Sequence, residues 1–243
     1  MATATRQSIG TASPMESRME KWRAGIDAAD ETWDLHDSVI QEIVSDYNRH
    51  LLGARGYRPL DWKIVKAMLW VETGPHQRDW QRKPLRIGVD GDPGLSALLS
   101  GREGGEMIIP GWYHLTASGA KSNPKDNIRA GVGYLLMRLA EFGFVTNEDG
   151  PIYEVMVRPG ESLEKIAKAQ GSTVEVMKKL NPGVHFLQRG QALKCRKASI
   201  KKTITGFRTP DAAVIASRYN GNGDPSYATK FGYALSALSK AGR

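Results

Sequence analysis

From Leu35 onward apolar residues recur every four positions, at Leu35, Val39, Ile43, Tyr47 and Leu51, with Ile40 and Val44 beside them. That period predicts an amphipathic helix, which Gly53 and Gly56 end. Asp61 is placed to cap a second helix, Trp62 to about Val71, whose inward stripe is Trp62, Val65, Met68 and Leu69. A third stripe, Ile128, Val132, Leu135, Leu136 and Leu139, predicts a helix from about Asn127 to Phe142, in which Ala130, Gly131 and Gly133 allow a neighbour to approach closely. Between these helices, residues 74–126 are rich in Gly, Pro and Asp and only briefly periodic. So long an irregular stretch in a compact protein is usually functional.

The texture changes at Asn147–Pro151, a turn signal. Tyr153–Val157 alternates and reads as a strand, 162–170 and 173–180 as two short helices, and 191–196 as a closing strand. Helical texture resumes at Thr209-Pro210-Asp211, a cap followed by proline in the first helical position, and runs to about Tyr219. A last amphipathic helix carries Tyr227, Phe231, Leu235 and Leu238. The expected fold is therefore mainly α: a helical domain formed by 19–146 and 205–243, interrupted at 147–204 by a small βααβ module. Residues 1–18, rich in Ser, Thr and Ala without periodicity, read as a mobile arm. The second helical piece is too short to fold alone and should pack back on the first.

Composition narrows the chemistry. Of 243 residues 40% are hydrophobic and 25% charged, which permits a packed core and excludes wholesale disorder. One cysteine, Cys195, excludes an internal disulfide framework and a multi-cysteine zinc site, and the five histidines are scattered. No apolar run approaches the roughly 18–20 residues of a membrane span, so no membrane insertion is expected. The N-terminus lacks the apolar segment of roughly 7–15 residues of a secretory signal, so synthesis in the cytoplasm without a signal peptide is expected. Charge is uneven: residues 151–202 hold 11 Lys/Arg against 4 Glu, whereas the remainder is nearly balanced. Such a segment suits a polyanion, and equally a solvated lysine-rich face. No aromatic residue interleaves the five cations of Lys194–Lys202, so a nucleic-acid partner is not expected.

Within the insert, Tyr153-x-Val155, Gly160-Glu161-Ser162-Leu163, Ile166-Ala167, Gly171-Ser-Thr, Leu180-Asn181-Pro182 and Gly190-Gln191-x-Leu193 follow one another at spacings that resemble a LysM repeat. Val155, Leu163, Ile166, Ala167, Val176, Leu180 and Leu193 form a small apolar set for two helices on a two-stranded sheet. The resemblance implies a shallow groove for N-acetylglucosamine-containing glycans, with Gly160, Glu161, Ser162, Asn181 and Pro182 as groove residues. Gly160 and Pro182 equally suit turns alone.

Glu72 lies four residues after Met68 and seven after Val65, so it continues an apolar stripe. A carboxyl there is partly desolvated, its pKa rises, and it can protonate a leaving oxygen. A helix-end glutamate paired with a cation fits the same position. Glu72-Thr73-Gly74, Gly91-Asp-Pro-Gly94-Leu95, Asn123-Pro-x-Asp-Asn127-Ile-x-Ala-Gly131-x-x-Tyr134-Leu135, and Ala216-x-x-Tyr219-Asn220-Gly221 before Tyr227-Ala resemble, in their order, the soluble lytic transglycosylases. These lysozyme-like enzymes cut peptidoglycan between N-acetylmuramic acid and N-acetylglucosamine. The resemblance makes Glu72 the acid and then the base that closes a 1,6-anhydro ring. It gives Tyr219 a part in positioning that acid, and it places Thr73, Gly94, Leu95, Tyr134 and Asn220 along the substrate cleft.

The chain also departs from that family. Thr73 stands where serine is usual, and Ser96-Ala97 follows Gly94-Leu95 in place of Met-Gln. Asp90 and Asp92 precede Gly94, as an aspartate does in the hydrolytic goose-type lysozymes. They make Glu72 with Asp90 or Asp92 an alternative hydrolytic pair, although Asp-Gly and Asp-Pro also simply turn the chain. A non-catalytic wall-binding protein with a decayed cleft is the third reading. Acid–base cleavage of an acetal needs no metal or organic cofactor, and none is expected. Peptidoglycan lies outside the cytoplasm, and muramidases of this kind resemble antibacterial effectors of type VI secretion. That resemblance implies action in the periplasm or wall of a target cell, a secretion-machine component and an immunity protein as partners.

Overall fold

A computed structural model describes residues 14–241. The chain forms two compact units, one comprising the segment up to Ala140 together with that from Gly206 onward, the other Glu141–Thr205.

In the first unit α1 (Pro14–Asp27) is followed by α2 (Asp37–Leu51) and α3 (Trp62–Glu72). Residues 14–18, expected in the arm, thus open a helix; the rest of the arm lies outside the described residues. The stretch expected to be irregular carries three short helices, α4 (Gly94–Leu99), α5 (Gly105–Ile108) and α6 (Ala117–Ser122). Each has four to six residues, too few for periodicity to show. Then α7 (Pro124–Leu139) runs through the middle of the unit against α2, α4, α5 and α6. It begins three residues before the expected Asn127, because Asn123 caps the amides of Lys125 and Asp126 and Pro124 takes the first turn.

Two consecutive helices close the unit, α10 (Ala212–Arg218) against α7 and α11 (Tyr227–Lys240) along α3. The cap of α10 is Asp211, which accepts from Val214 N at 2.8 Å; it is not the expected Thr209. The core is built from the predicted stripes: Ile40, Ile43 and Tyr47 of α2, Val65, Met68 and Leu69 of α3, Ile128, Val132 and Leu135 of α7. Phe231 and Leu238 of α11 complete it. A Cβ on Gly133 would stand 2.5 Å from the Tyr47 hydroxyl, which itself donates to Arg129 O, so glycine is what lets α2 and α7 meet.

Periodicity did not announce Lys66, which is buried completely on α3. Its ammonium donates to Asp34 and Asp37, at 2.6 Å each, and lies 5.5 Å from the ring centres of both Trp62 and Trp70. Two carboxylates and two indole faces replace its water.

The second unit is a two-stranded antiparallel sheet, β1 (Ala140–Met156) and β2 (Ala192–Phe207), carrying α8 (Leu163–Ala169) and α9 (Val174–Leu180). Val157, Ile166, Ala167, Met177, Leu193 and Cys195 form its core. Both strands are far longer than expected: 140–152 and 197–207, read in the sequence as helix end, turn and linker, pair with each other. Gly150, at φ +72°, carries β1 through the Asp-Gly-Pro step. A Cβ on Gly143 would lie 2.8 Å from the Thr205 side-chain methyl, so a larger residue there would have to displace that side chain. This pairing partner lies some sixty residues away in sequence, where local pattern does not reach.

Replacing Lys66 with Ala should lower unfolding free energy by about 3–5 kcal/mol, because two acids lose their counter-ion beside a cavity. Urea denaturation measures this; a loss below about 1 kcal/mol would mean the cage does not stabilise the helical unit.

Candidate active site and glycan-binding module

Glu72 is the last residue of α3, at the end of the buried stripe, and it is only partly exposed. Two cavities meet at it. One, about 430 Å³, is walled by Trp22, Trp33, Trp70, Gln77 and Lys230; the other, about 180 Å³, by Val89, Asp92, Tyr134 and Tyr219. Glu72, Arg86 and Asn220 line both.

Burial pushes the Glu72 carboxyl up from 4.5 to about 7. The Tyr227 hydroxyl, which donates to Oε1 at 3.0 Å, and the nearby Arg86 guanidinium oppose that rise, while Asp92 and Asp224 reinforce it. Tyr227 is itself buried, and burial with the Glu72 charge beside it holds its hydroxyl well above the ordinary tyrosine value, so it remains a donor. Such a carboxyl holds its proton near neutrality beside an open cleft, which is what a general acid requires.

Several residues named by the sequence converge on one short segment, the arch Pro84–Gly88. Thr73 Oγ1 donates to Pro84 O at 2.8 Å. Asn127 Oδ1 accepts from Leu85 N at 3.0 Å, and its Nδ2 donates to Ile87 O and Ala120 O. The Tyr219 hydroxyl donates to Leu85 O at 3.3 Å, and Asp92 Oδ2 accepts from Gly88 N at 2.6 Å. Five backbone groups in five residues are thus held by side chains from α7, from the residues that follow α3 and α10, and from the loop before α4. Gly131 belongs to the same construction, since a Cβ there would lie 2.4 Å from Leu85 Cδ1.

The remaining candidates sort by position. Asp92 Oδ1 also accepts from Gly94 N at 2.8 Å, so both of its oxygens serve the loop. Asp90 is exposed and lines neither cavity. Gly94 lets the Tyr134 ring sit 3.1 Å from where a Cβ would be, and that ring packs 5.5 Å from Tyr219. Leu95 is buried in the core and lines neither cavity. Asn220 Oδ1 accepts from Asp224 N, which shapes the loop carrying Asp224 into the cleft. Tyr227, an apolar position in the helical pattern, proves to be the partner of Glu72. Arg86 carried no sequence signal beyond its place in the irregular stretch.

In the sheet-containing unit, Ser162 caps α8, Glu161 Oε2 accepts from Arg158 N, and Gly160 takes φ +76° facing open space. Asn181 bridges the end of α9 to β2: Nδ2 donates to Met177 O and Lys194 O, and Oδ1 accepts from Lys194 N. Its side chain is thereby occupied by backbone, and Pro182 beside it is exposed. The following loop contains Phe186, 87% exposed, next to His185 on an open concavity. An aromatic ring so exposed is of the kind that can stack on a sugar face; in the short loop Val184-His185-Phe186-Leu187 no periodicity marks it.

Among the described residues no group of three or more His, Cys, Asp or Glu is placed to hold a metal, and no helix is long and apolar enough to cross a membrane.

Two outcomes follow. Below pH 4.5 Glu72 is protonated whether the chain is folded or not; between 4.5 and about 7 only the unfolded chain ionises it, so stability falls as pH rises. Glu72→Gln should therefore match wild type at pH 4 and exceed it by up to about 3 kcal/mol at pH 8, in chemical denaturation at each pH. Asn127→Leu should cost about 3 kcal/mol or more, since it strands three buried backbone groups; a neutral effect would show that the arch holds without it.

Comparison with known proteins gives one match: residues 155–194 fit the model of the LysM domain. No curated protein and no solved structure matches the chain. The match covers both helices, the loops around them and the adjoining ends of the two strands, 155–156 of β1 and 192–194 of β2. Residues 155–194 are a LysM domain, a peptidoglycan-binding module.

Proposed function

We propose that the helical unit is a lysozyme-like muramidase that cuts the peptidoglycan held by the LysM domain, with Glu72 as its acid and base. The observation that carries this reading is the desolvated carboxyl of Glu72, near 7, at the junction of two cavities. In the proposed reaction Glu72 protonates the oxygen of the β-1,4 bond between N-acetylmuramic acid and N-acetylglucosamine, and the glucosamine leaves with its 4-hydroxyl restored. The resulting carboxylate takes the proton of the muramoyl 6-hydroxyl as that oxygen bonds to C1. A 1,6-anhydro ring forms, no water is consumed, and Glu72 is again protonated. Arg86, close enough to favour the ionised form of Glu72, eases the intermediate state.

The transglycosylase route is preferred to hydrolysis because it uses one carboxyl. A hydrolase that inverts needs a second carboxylate directing water. Asp92 has both oxygens on backbone amides and Asp90 stands outside the cavities. The LysM domain would raise the local concentration of glycan around the cleft. An antibacterial effector of this type would be restrained in its producer by an immunity protein that occludes the Glu72 cleft.

A second reading, wall binding without cleavage, rests on the LysM domain being the matched part of the chain and on Ser96-Ala97 in place of a cleft-lining pair. One experiment separates all three. Wild type incubated with purified sacculi should release fragments one water lighter than hydrolysed muropeptides, and Glu72→Gln should lower release by about 100-fold or more while remaining folded. Full-mass products would establish hydrolysis; binding without release by wild type would establish the non-catalytic reading. Release should also fall as pH rises through about 7, where Glu72 loses its proton.

A further inference from the structure

The pinned arch has one outward side chain. Leu85 and Ile87 point inward and are buried, whereas Arg86 between them is exposed and lines both cavities. Its backbone lies at φ +52°, the left-handed region that side-chain-bearing residues avoid. The hydrogen bonds of Thr73, Asn127, Tyr219 and Asp92 to its neighbours hold it there. Strain kept in place by so many side chains, at a residue facing the cleft, asks what the guanidinium is for.

The charges around it answer. The cleft otherwise presents acids: Glu72, Asp92 and Asp224. Its other cation, Lys230, is 2.7 Å from Asp224 and so already neutralised. The ion pair of Arg86, with Asp79, is long, 3.8 Å at Nε. The Arg86 guanidinium therefore lines the same two cavities as Glu72, and its planar fork of donors is the group that grips a carboxylate through two bonds.

We propose that Arg86 is the specificity-determining residue of the cleft: it binds the carboxylate borne by the muramoyl side of the substrate. This inference rests on the Glu72 reading above. The carboxylate is either that of the lactyl ether or, where a peptide is attached there, one belonging to the peptide. Arg86 thereby makes the cleft select anionic muramoyl glycan over a neutral polymer of N-acetylglucosamine, and it sets the register that brings the bond to Glu72.

The test compares wild type, Arg86→Lys, Arg86→Gln and Arg86→Gly on three substrates: intact peptidoglycan, strands stripped of peptide by an amidase, and N-acetylglucosamine oligomers. Arg86→Gln should raise KM on muramoyl substrates about tenfold and leave KM for the neutral oligomers unchanged, while any change in kcat, which comes through the charge of Arg86 beside Glu72, should be shared by all substrates. Arg86→Lys should fall between, and added salt should move wild type towards the Gln variant. The larger effect on stripped or on intact strands identifies which carboxylate is bound. Arg86→Gly relieves the left-handed backbone, so it should melt no lower than wild type while showing the same rise in KM, which separates contact with substrate from integrity of the arch. Equal KM values for wild type and Arg86→Gln, or an equal rise on neutral oligomers, would overturn the inference. Should wild type cut none of the three, the Glu72 reading fails. Calorimetric affinity of wild type and Arg86→Gln for stripped strands then decides Arg86 alone, equal affinities overturning it.

Discussion

A carboxyl group that is to keep its proton near neutrality must be withdrawn from water yet remain within reach of a substrate. Glu72 meets both demands by standing at the last turn of α3, where the apolar stripe of the helix runs out into a cleft. Burial supplies the upward push, and it would go further without opposition. The Tyr227 hydroxyl and the Arg86 guanidinium draw the group back to about 7, where it can both give and take a proton. The whole helical unit serves this balance: α11 packs along α3 to bring Tyr227 to Glu72, and α7 anchors the arch that presents Arg86.

The arch shows how an irregular segment can be as determined as a helix. Five backbone groups left outside regular structure are met by side chains, and the amide and carbonyl of Arg86 by backbone. Asn127 alone satisfies three such groups from a fully buried position on α7. Because these anchors come from elements far apart in sequence, the cleft and the helical core form as one. The buried Lys66 cage acts similarly elsewhere on α3, tying it to Asp34 in the segment before α2 and to Asp37, the first residue of α2. Both arrangements place polar groups inside the protein at a desolvation cost that only full pairing offsets.

Much of this was legible in the sequence where the information is local. The stripes of α2, α3 and α7, the cap at Asp61 and the two short helices after Ser162 and Thr173 follow from spacing and capping chemistry. So did the placement of Glu72, because position on a stripe foretells burial. What was illegible is non-local. The extension of β1 and β2 depends on a partner strand across the module. The role of Tyr227 depends on α11 meeting α3, and that of Arg86 on an arch whose anchors lie up to 134 residues away. Asn127 and Tyr219 were singled out for their place in motifs, and their work is to hold backbone.

The account stands on the proton of one side chain, and nuclear magnetic resonance can observe it. With glutamate labelled at Cδ, the resonance absent from Glu72→Gln identifies Glu72, and its shift is followed from pH 3 to pH 9. A midpoint near 7 is the result expected from its burial. A midpoint near 4.5, the ordinary value for glutamate, would show that water reaches the group freely and would contradict its assignment as the acid.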